Sequence, residues 1–367
     1  MKIAILGFTK ISYMPYLHFY LNQIDLSAND VHLIYWQRDE KPDAPVPDGV
    51  TGHALAENMD DSIPLKSKLP KLNKYRRFAI KKLKQLRPDF LIILHSTTGI
   101  TVLDYIKRHY KGRYILDYRD VTYERNKYYK GMVATLVNCA AITFTSSDGF
   151  RKFLPEGAEI LTSHNLTRDV LEAREQHKIK TPSEKIRIAF WGLLRHHSLN
   201  EKIVSALADD PRFELHFYGR AQGKMLELVE SAEKEHTNIF FHGEYRSADR
   251  IEFAKCTDIL HNLYDNSDKT TPIAMGNKYY DGVIFYIPQL CMPGSLMAEM
   301  SARAGVGFAC DPAKEGFADG IYAYYQSIDR ESFFASCDKE LSRILKEVES
   351  GEQKIKEVLE NAAKEGK

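Results

Sequence analysis

The stretch KIRIAFWGLLRHHSLNEKIVSALADDPRFELHFYGRA, residues 185–221, contains a complete strand–helix–strand unit. Two apolar runs of strand length, Ile186–Trp191 and Phe213–Tyr218, each end at a glycine, and a helical pattern fits residues 200–208 between them. Continuous apolar strands that alternate with helices are typical of a parallel sheet covered by helices on both faces. The stretch therefore predicts a doubly wound α/β domain.

The same alternation runs through both halves of the 367-residue chain, a length that suits two domains. Residues 168–185 interrupt the pattern, because they are charged, weakly periodic and contain Pro182. We therefore predict two doubly wound Rossmann-like domains that face a cleft. The predicted parts are an N-terminal domain at 1–167, a linker at 168–185, a C-terminal domain at 186–337, and a helical tail at 338–367 that packs back on the N-terminal domain.

Composition excludes several classes of protein. The chain is 44% apolar and 28% charged with a net charge of +1, so we expect a soluble globular protein and no nucleic-acid partner. The five cysteines are scattered and form no CxxC pair, which argues against a metal site or a disulfide framework. The longest apolar runs fall far short of the ~20 residues that span a bilayer. The N-terminus lacks a signal-peptide pattern, so the expected location is the cytoplasm.

The junctions between strands and helices are the expected ligand-binding positions, since ligands of open α/β sheets lie outside the carboxyl ends of the strands. Glycines at such junctions allow a ligand to approach the backbone closely. Arg195 lies just after the first junction of the second half. Its planar guanidinium could bind a phosphate with two hydrogen bonds, or the residue could simply lie on the surface of a tight turn. Tyr245 could stack on a base or pack in the core. The junction glycines are Gly7, Gly192 and Gly219.

A second stretch, MGNKYYDGVIFYIPQLC at residues 275–291, places an amine and a carboxylate on the first turn of an otherwise apolar helix. Asn277 is a candidate capping residue, and the free backbone N–H groups of a helix start attract anions. Lys278 adds a positive charge suited to a diphosphate, and Asp281 could accept hydrogen bonds from the two hydroxyls of a ribose. The alternative is a surface ion pair between Lys278 and Asp281.

These junctions together resemble a known family. KIRIAFWGLLRHHSLNEKIVSALADDPRFELHFYGRA, then IFFHGEYRSADRIEFAKCTDILHNLY, then NKYYDGVIFYIPQL resemble in that order the C-terminal domain of GT-B glycosyltransferases. YILDYRDVTYE, AAITFTSSDGFRKFL and SHNLTRD in the first half resemble segments of the N-terminal domain of that family. The likeness is greatest to bacterial family 4 type enzymes that build capsular and other surface polysaccharides.

The resemblance implies a role for each domain. The C-terminal domain would hold a nucleotide-sugar donor, and the N-terminal domain would hold the acceptor. On the acceptor side the resemblance implies His95, Arg119 and Asp120, with Asp120 at the acceptor hydroxyl; Asp120 and Arg195 are the implied catalytic residues. The implied donor-binding residues are Gly7, Gly192, Arg195, Gly219, Tyr245, Asn277, Lys278 and Asp281.

Two positions depart from the family pattern. Ile273 stands where the family has the first acid of its paired acidic motif, and Tyr286 stands where its helix usually ends in glycine. The first acid is often associated with the transferred sugar, so the identity of that sugar and the retention of stereochemistry do not follow from the resemblance.

The predicted function is transfer of a sugar, of hexosyltransferase and retaining type, from a nucleotide-sugar, with UDP as the expected nucleotide. The expected acceptor is a saccharide or lipid-linked saccharide in surface polysaccharide synthesis. No cofactor and no metal are expected, since the chain contains no Asp-x-Asp tripeptide of the kind that holds a metal in glycosyltransferases of the other major fold. The alternatives are a GT-B nucleotide-sugar epimerase and a non-catalytic cytoplasmic protein that binds sugar nucleotides.

The segment from Lys66 to Arg87 carries ten Lys or Arg and no acid. Apolar residues recur in it every three or four positions, which predicts a basic helix with an apolar stripe. Such a helix can lie on an anionic membrane, so peripheral contact with the inner face of the plasma membrane is expected. The alternative is that the stripe packs on the sheet. The stripe consists of Leu72, Tyr75, Ala79, Leu83 and Leu86.

Overall fold

The computed structural model of the protein describes residues 1–59, 64–166, 168–267 and 270–365. The chain forms two compact units, Met1–His164 with Lys346–Lys367, and Asn165–Leu345. Each contains one parallel sheet and several helices, so the prediction of two doubly wound Rossmann-like domains is confirmed. Thr167, the last residue of the predicted first domain, and the last two residues of the predicted tail lie outside the described residues.

The sheet of the first unit has seven parallel strands in the order β3-β2-β1-β4-β5-β6-β7. Its central strands β4 and β5 are buried along their length, as a sheet covered on both faces requires; β4 is a continuous apolar run, and β5 contains the buried Asp117. The strands are β1 (Lys2–Leu6), β2 (Asp30–Gln37), β3 (Val50–Ala56), β4 (Phe90–Leu94), β5 (Tyr114–Tyr118), β6 (Ile142–Thr145) and β7 (Ile160–Thr162).

Helices pack on this sheet from both the start and the end of the chain. Those from the start are α1 (Leu17–Leu21), α2 (Leu65–Leu86), α3 (Ser96–Thr101), α4 (Leu103–His109) and α5 (Lys127–Cys139). The last helix, Arg330–Glu365, runs without a break through the predicted tail boundary at residue 338. Its Ile355 and Leu359 belong to the core of the first unit, with Ile3, Ile5 and Phe144.

The sheet of the second unit has six parallel strands in the order β10-β9-β8-β11-β12-β13. The strands are β8 (Ile186–Trp191), β9 (Phe213–Tyr218), β10 (Ile239–Gly243), β11 (Ile259–Asn262), β12 (Gln289–Cys291) and β13 (Gly307–Ala309). The helices are α6 (His197–Leu207), α7 (Lys224–Glu235), α8 (Arg250–Lys255), α9 (Asn277–Ile284), α10 (Leu296–Ala304) and α11 (Phe317–Ser327). The last helix, α12 (Arg330–Glu365), belongs to this unit as far as Leu345 and to the first unit from Lys346 onward.

In both sheets the strand order reverses beside the first strand of the unit. In the first unit β1 lies between β2 and β4, and in the second β8 lies between β9 and β11. The helices that follow β1 and β4, or β8 and β11, therefore cover opposite faces, and a crevice opens between the two carboxyl ends. Each unit thus has one favoured ligand-binding position, at the carboxyl ends of β1 and β4 or of β8 and β11.

Two glycines at the ends of β8 and β9 pack backbone against backbone. Gly192 and Gly219 have φ values of 131° and 138°, a region that favours glycine. The Gly192 N–H donates to the Tyr218 carbonyl at 3.0 Å, and the Gly219 N–H donates to the Gly243 carbonyl at 2.6 Å. A Cβ on Gly219 would lie 1.7 Å from the Gly192 carbonyl oxygen. Position 219 therefore has room for glycine only.

We expect Gly219→Ala to lower the free energy of unfolding by at least about 3 kcal/mol, because the new methyl group meets backbone that cannot move aside. Gly131→Ala is the matched control, since Gly131 lies within α5 with no atom within 4 Å of its built Cβ. That control should gain about 0.5–1 kcal/mol from helix propensity. Urea unfolding followed by circular dichroism measures both; equal stabilities of Gly219→Ala and the wild type would contradict the close packing.

Candidate functional site

Lys278 places a buried ammonium near the carboxyl ends of β8 and β11. Lys278 is only 5% exposed, and its Nζ donates to the Tyr264 hydroxyl at 2.6 Å. The same Nζ lies 3.9 Å from the ring centroid of Phe190 and 4.6 Å from that of Tyr264. Within the described part of the chain no carboxylate lies at ion-pair distance from it. A buried cation held by ring faces and a hydroxyl is therefore available to an anionic ligand.

The start of α9 differs from the prediction by one residue. Asn277 was expected to cap the helix, but the N-cap residue is Gly276, with φ −76° and ψ 148°. Asn277 is already helical and exposed, and its side chain caps no backbone N–H group. Gly276 suits this place because a Cβ there would lie only 3.3 Å from the Tyr264 hydroxyl and from Met297 Sδ. The prediction that Asn277 caps α9 is therefore wrong.

Asp281 is buried and held by two donors of the protein. Its carboxylate accepts from Arg250 Nη1 at 2.7 and 2.9 Å and from Trp191 Nε1 at 2.7 Å. Burial raises the pKa of Asp281, and the Arg250 charge opposes that rise. Lys278 and Asp281 are both buried, so the alternative of a surface ion pair between them does not describe the structure. Asp281 instead joins α9 to α8 and to the end of β8.

His261, at the end of β11, is a buried residue of this site that the sequence did not single out. Its Nδ1 accepts from the Leu263 N–H at 3.2 Å and its Nε2–H donates to Asn200 Oδ1 at 3.1 Å. Burial, then the charges of Lys278 and His196, lower the pKa of His261 to about 3. The imidazole is therefore neutral at pH 7 and does not add to the charge of Lys278. The only sequence signal was a polar residue in the apolar run ILHNLY.

The corner between β8 and α6 carries the other predicted residues of this unit. Gly192 makes the turn, and Arg195 is exposed. The Arg195 carbonyl accepts from Asn200 Nδ2 at 2.7 Å, and its guanidinium forms no hydrogen bond or ion pair with any described residue. Tyr245 is half-buried with its ring edge-on to Phe253 at 5.2 Å, as the packing alternative expects. Burial raises the pKa of Tyr245 to about 12. Arg195, Gly192 and Lys278 thus all follow or border the ends of β8 and β11.

In the first unit, His95 and Asp120 lie together after β4 and β5. His95 Nε2 is 4.0 Å from Asp120 Oδ2, and its Nδ1 accepts from the Thr97 N–H at 3.1 Å. Burial, then the charges of Arg119 and Arg38, lower the pKa of His95 to about 4. The side chain of Asp120 is 71% exposed. This edge therefore presents a neutral imidazole and an exposed carboxylate.

Arg119 and Gly7 form hydrogen bonds with other residues of the first unit. The Arg119 guanidinium is buried; Nη1 donates to the Ser163 carbonyl at 2.9 Å and Nε lies 3.3 Å from Asp117 Oδ2. The Gly7 carbonyl at the end of β1 accepts from the Tyr75 hydroxyl at 2.7 Å. Both residues border the carboxyl edge of the sheet, and both are bonded to groups of their own unit.

The basic segment from Lys66 to Arg87 forms α2, and its apolar stripe packs in the first unit. Tyr75, Ala79 and Leu83 are fully buried, as the packing alternative expected. Arg76 and its neighbours on the outer face line an open groove of about 570 Å³. The lining residues are Arg76, Arg77, Ile80, Lys81, Lys84 and Gln85.

Among the described residues, none of the helices combines the length and the apolar character that a membrane span requires. The described residues contain no cluster of three or more His, Cys, Asp or Glu that could hold a metal ion.

Solved structures share this two-domain fold. A sucrose-phosphate synthase from Thermosynechococcus elongatus is similar with a TM-score of 0.68 and 11% identity, over 100% of this chain and 97% of that chain. The Anabaena protein HepE in complex with UDP is similar with a TM-score of 0.66 and 13% identity, over 98% and 100%. A UDP-GlcNAc 2-epimerase from Methanocaldococcus jannaschii is similar with a TM-score of 0.56 and 12% identity, over 94% and 99%.

No family model matches the sequence, and no curated protein matches it significantly. At such low identities the structural likeness shows the fold, which glycosyltransferases share with a sugar-nucleotide epimerase.

We expect Arg250→Met to lower the free energy of unfolding by about 3–5 kcal/mol at pH 7, because it leaves the buried Asp281 carboxylate uncompensated. Without the guanidinium, burial raises the pKa of Asp281 further above its unfolded value of about 4. The folded state then holds the proton more tightly than the unfolded state, so the variant loses stability as the pH rises above about 4.

Arg246→Met is the matched control, since the Arg246 side chain is 87% exposed and its Nη2 donates to Asp249 Oδ1 at 2.9 Å in an exposed ion pair. It should change neither the stability nor its pH dependence appreciably. Urea unfolding at pH 5 and pH 8 measures both variants. A loss from Arg250→Met no larger at pH 8 than at pH 5 would argue against the buried pair.

Proposed function

We propose that the protein is a glycosyltransferase that binds a nucleotide-sugar at the carboxyl edge of its second sheet. The observation that carries this proposal is the buried Lys278 ammonium, which has no described carboxylate at ion-pair distance. A diphosphate is the ligand that best offsets such a charge, and the exposed Arg195 supplies a second cation on the same edge. Gly192 and Gly219 keep the backbone near this edge free of side chains.

In this proposal the donor is a UDP-sugar, which is consistent with the fold likeness to a protein solved with UDP. Lys278 and Arg195 stabilise the leaving diphosphate electrostatically, so transfer needs no metal. Asn277, Tyr245 and Asp281 complete the donor site. Asp281 Oδ1 accepts a hydrogen bond from Arg250 at 2.7 Å. A ribose hydroxyl that donates to this carboxylate would therefore share it with the Arg250 guanidinium.

The proposed acceptor side is the edge with His95, Arg119 and Asp120. Asp120 is an exposed carboxylate that can take the proton of an acceptor hydroxyl, with the neutral His95 beside it. Arg119 positions this edge from beneath, through Ser163 and Asp117. We propose a retaining hexosyl transfer of family 4 type to a saccharide or lipid-linked saccharide, in the synthesis of a surface polysaccharide such as a capsule.

We further propose a cytoplasmic enzyme that contacts the inner face of the plasma membrane through the segment from Lys66 to Arg87. The support is electrostatic, since the apolar stripe of α2 is buried while Arg77, Lys81 and Lys84 are exposed.

A second candidate function is nucleotide-sugar epimerisation, which the fold likeness to a UDP-GlcNAc 2-epimerase favours. A third is binding without reaction. One experiment separates the three: the protein is incubated with a panel of UDP-, GDP- and TDP-sugars, and the products are identified by chromatography. Release of free nucleotide supports transfer, an isomerised sugar supports epimerisation, and binding with neither product supports a binding protein.

Lys278→Met should weaken the binding of UDP about 10–100-fold, because the variant loses a charge-assisted contact with the diphosphate. Lys234→Met, which removes an exposed lysine of α7, is the control and should bind UDP like the wild type. Isothermal titration calorimetry measures the three affinities. Equal affinities for Lys278→Met and the wild type would remove the basis of the proposed donor site.

Asp120→Asn should lower the rate of sugar transfer about 10²–10⁴-fold and leave the affinity for UDP unchanged, because an amide cannot accept the proton of the acceptor hydroxyl. Asp48→Asn, in the exposed segment before β3, is the control. Steady-state transfer rates and UDP titrations are measured for both. A normal transfer rate in Asp120→Asn would exclude Asp120 as the proton acceptor.

A further inference from the structure

Tyr264 places a phenol hydroxyl next to the buried ammonium of the candidate site. The residue lies just beyond the end of β11, at the carboxyl edge of the second sheet, and its hydroxyl accepts from Lys278 Nζ at 2.6 Å. A Cβ on Gly276, the N-cap residue of α9, would lie 3.3 Å from the same hydroxyl. The ring of His196, in the corner after β8, is edge-on to the Tyr264 ring at 5.7 Å. The hydroxyl therefore borders both the start of α9 and the corner after β8.

The hydroxyl proton of Tyr264 has no acceptor among the residues that the structure describes. A phenol hydroxyl can accept one hydrogen bond and donate another, so the bond from Lys278 leaves the O–H free to donate. The ammonium polarises the oxygen that it contacts, which makes this O–H a stronger donor to an anion. Tyr264 is half-buried whereas Lys278 is buried, so the hydroxyl is the more accessible of the two polar groups.

The ring that carries this hydroxyl is held by packing. Tyr264 and Met275 pack against a small buried cluster on the last strands and α10. The Gly276 N–H donates to Met297 Sδ at 3.4 Å, which holds the start of α9 against the same cluster. A hydroxyl fixed in this way loses little conformational entropy when a ligand binds. The buried residues of the cluster are Cys291, Met297 and Ala298.

We propose that Tyr264 is a further donor-binding residue, whose hydroxyl donates a hydrogen bond to the diphosphate while Lys278 supplies positive charge from the buried side. This inference rests on the proposed donor site and deepens it, since it assigns the direct contact to a neutral group that a cation polarises. The diphosphate gains negative charge as the sugar leaves, so this hydrogen bond strengthens in the transition state and lowers the barrier. The alternative role for Tyr264 is only to hold Lys278 in position.

Isothermal titration calorimetry with UDP, and with inorganic pyrophosphate as a probe without a base, separates the two roles. Tyr264→Phe keeps the ring and should weaken the binding of both probes about tenfold, because it removes a hydrogen bond to a charged group. In the Lys278→Met background the same change should still weaken binding at least about threefold, because the phenol itself contacts the phosphate. No further loss in that background would mean that Tyr264 only positions Lys278, which would overturn the inference.

Tyr322→Phe is the matched control, since it removes the hydroxyl of an exposed tyrosine of α11 and should leave both affinities unchanged. Gly276→Ala is a second variant that keeps every donor but crowds the Tyr264 hydroxyl, and it should weaken the binding of UDP about threefold. Thermal unfolding checks that each variant is folded. If Tyr264→Phe does not fold, Gly276→Ala decides, and wild-type affinity in it would then overturn the inference.

The remaining outcomes separate this inference from the proposed function. Wild-type affinity in Tyr264→Phe, together with weakened binding by Lys278→Met, would refute the role of Tyr264 and leave the donor site in place. Pyrophosphate binding that depends on Tyr264, with no product from any nucleotide-sugar, would support the contact and refute sugar transfer. Failure of the wild type to bind either probe would overturn both.

Discussion

The central constraint in the second unit is a buried positive charge without a buried negative partner. An isolated ammonium is costly to remove from water, and the fold offsets that cost with the faces of Phe190 and Tyr264 and with the Tyr264 hydroxyl. Asp281, one turn away, forms no ion pair with Lys278, because Arg250 and Trp191 hold its carboxylate, although the charge of Lys278 helps to lower the pKa of Asp281, which burial raises. This separation of the two charges leaves one cation free for a ligand and makes the other pair structural.

The same topology serves opposite electrostatics in the two units. At the carboxyl edge of the second sheet the neutral His261 adds no charge to that of Lys278, and the buried cation there suits an anionic ligand. At the edge of the first sheet the neutral His95 stands beside the exposed carboxylate of Asp120, which suits a hydroxyl that must lose a proton. In both cases burial of an imidazole removes a positive charge, which would repel Lys278 at the second edge and would offset Asp120 at the first. The difference between the units therefore lies in a few side chains and not in the sheets.

Sequence patterns predicted the fold because its strands include apolar runs of strand length, and β8 and β9 have the predicted bounds. Such patterns are weak in β3, whose burial alternates and which contains Gly52, and in β7, which is three residues long. They placed Lys278 and Asp281 on one helix but not their partners. Arg250 and Trp191 are 31 and 90 residues from Asp281 along the chain, so only the tertiary fold brings them to it.

Tyr286 ends α9 in a backbone conformation that glycine usually adopts. The residue adopts φ 52°, and the Ile287 N–H donates to the Gly282 carbonyl at 2.9 Å, so α9 ends as a glycine would end it. A non-glycine residue there carries strain on the order of 1 kcal/mol. The ring offsets this strain, because Arg174 lies 4.1 Å from its centroid and its hydroxyl donates to Asp338 at 2.7 Å. The linker and the last helix thus hold the end of α9, and with it the position of Lys278 at the start.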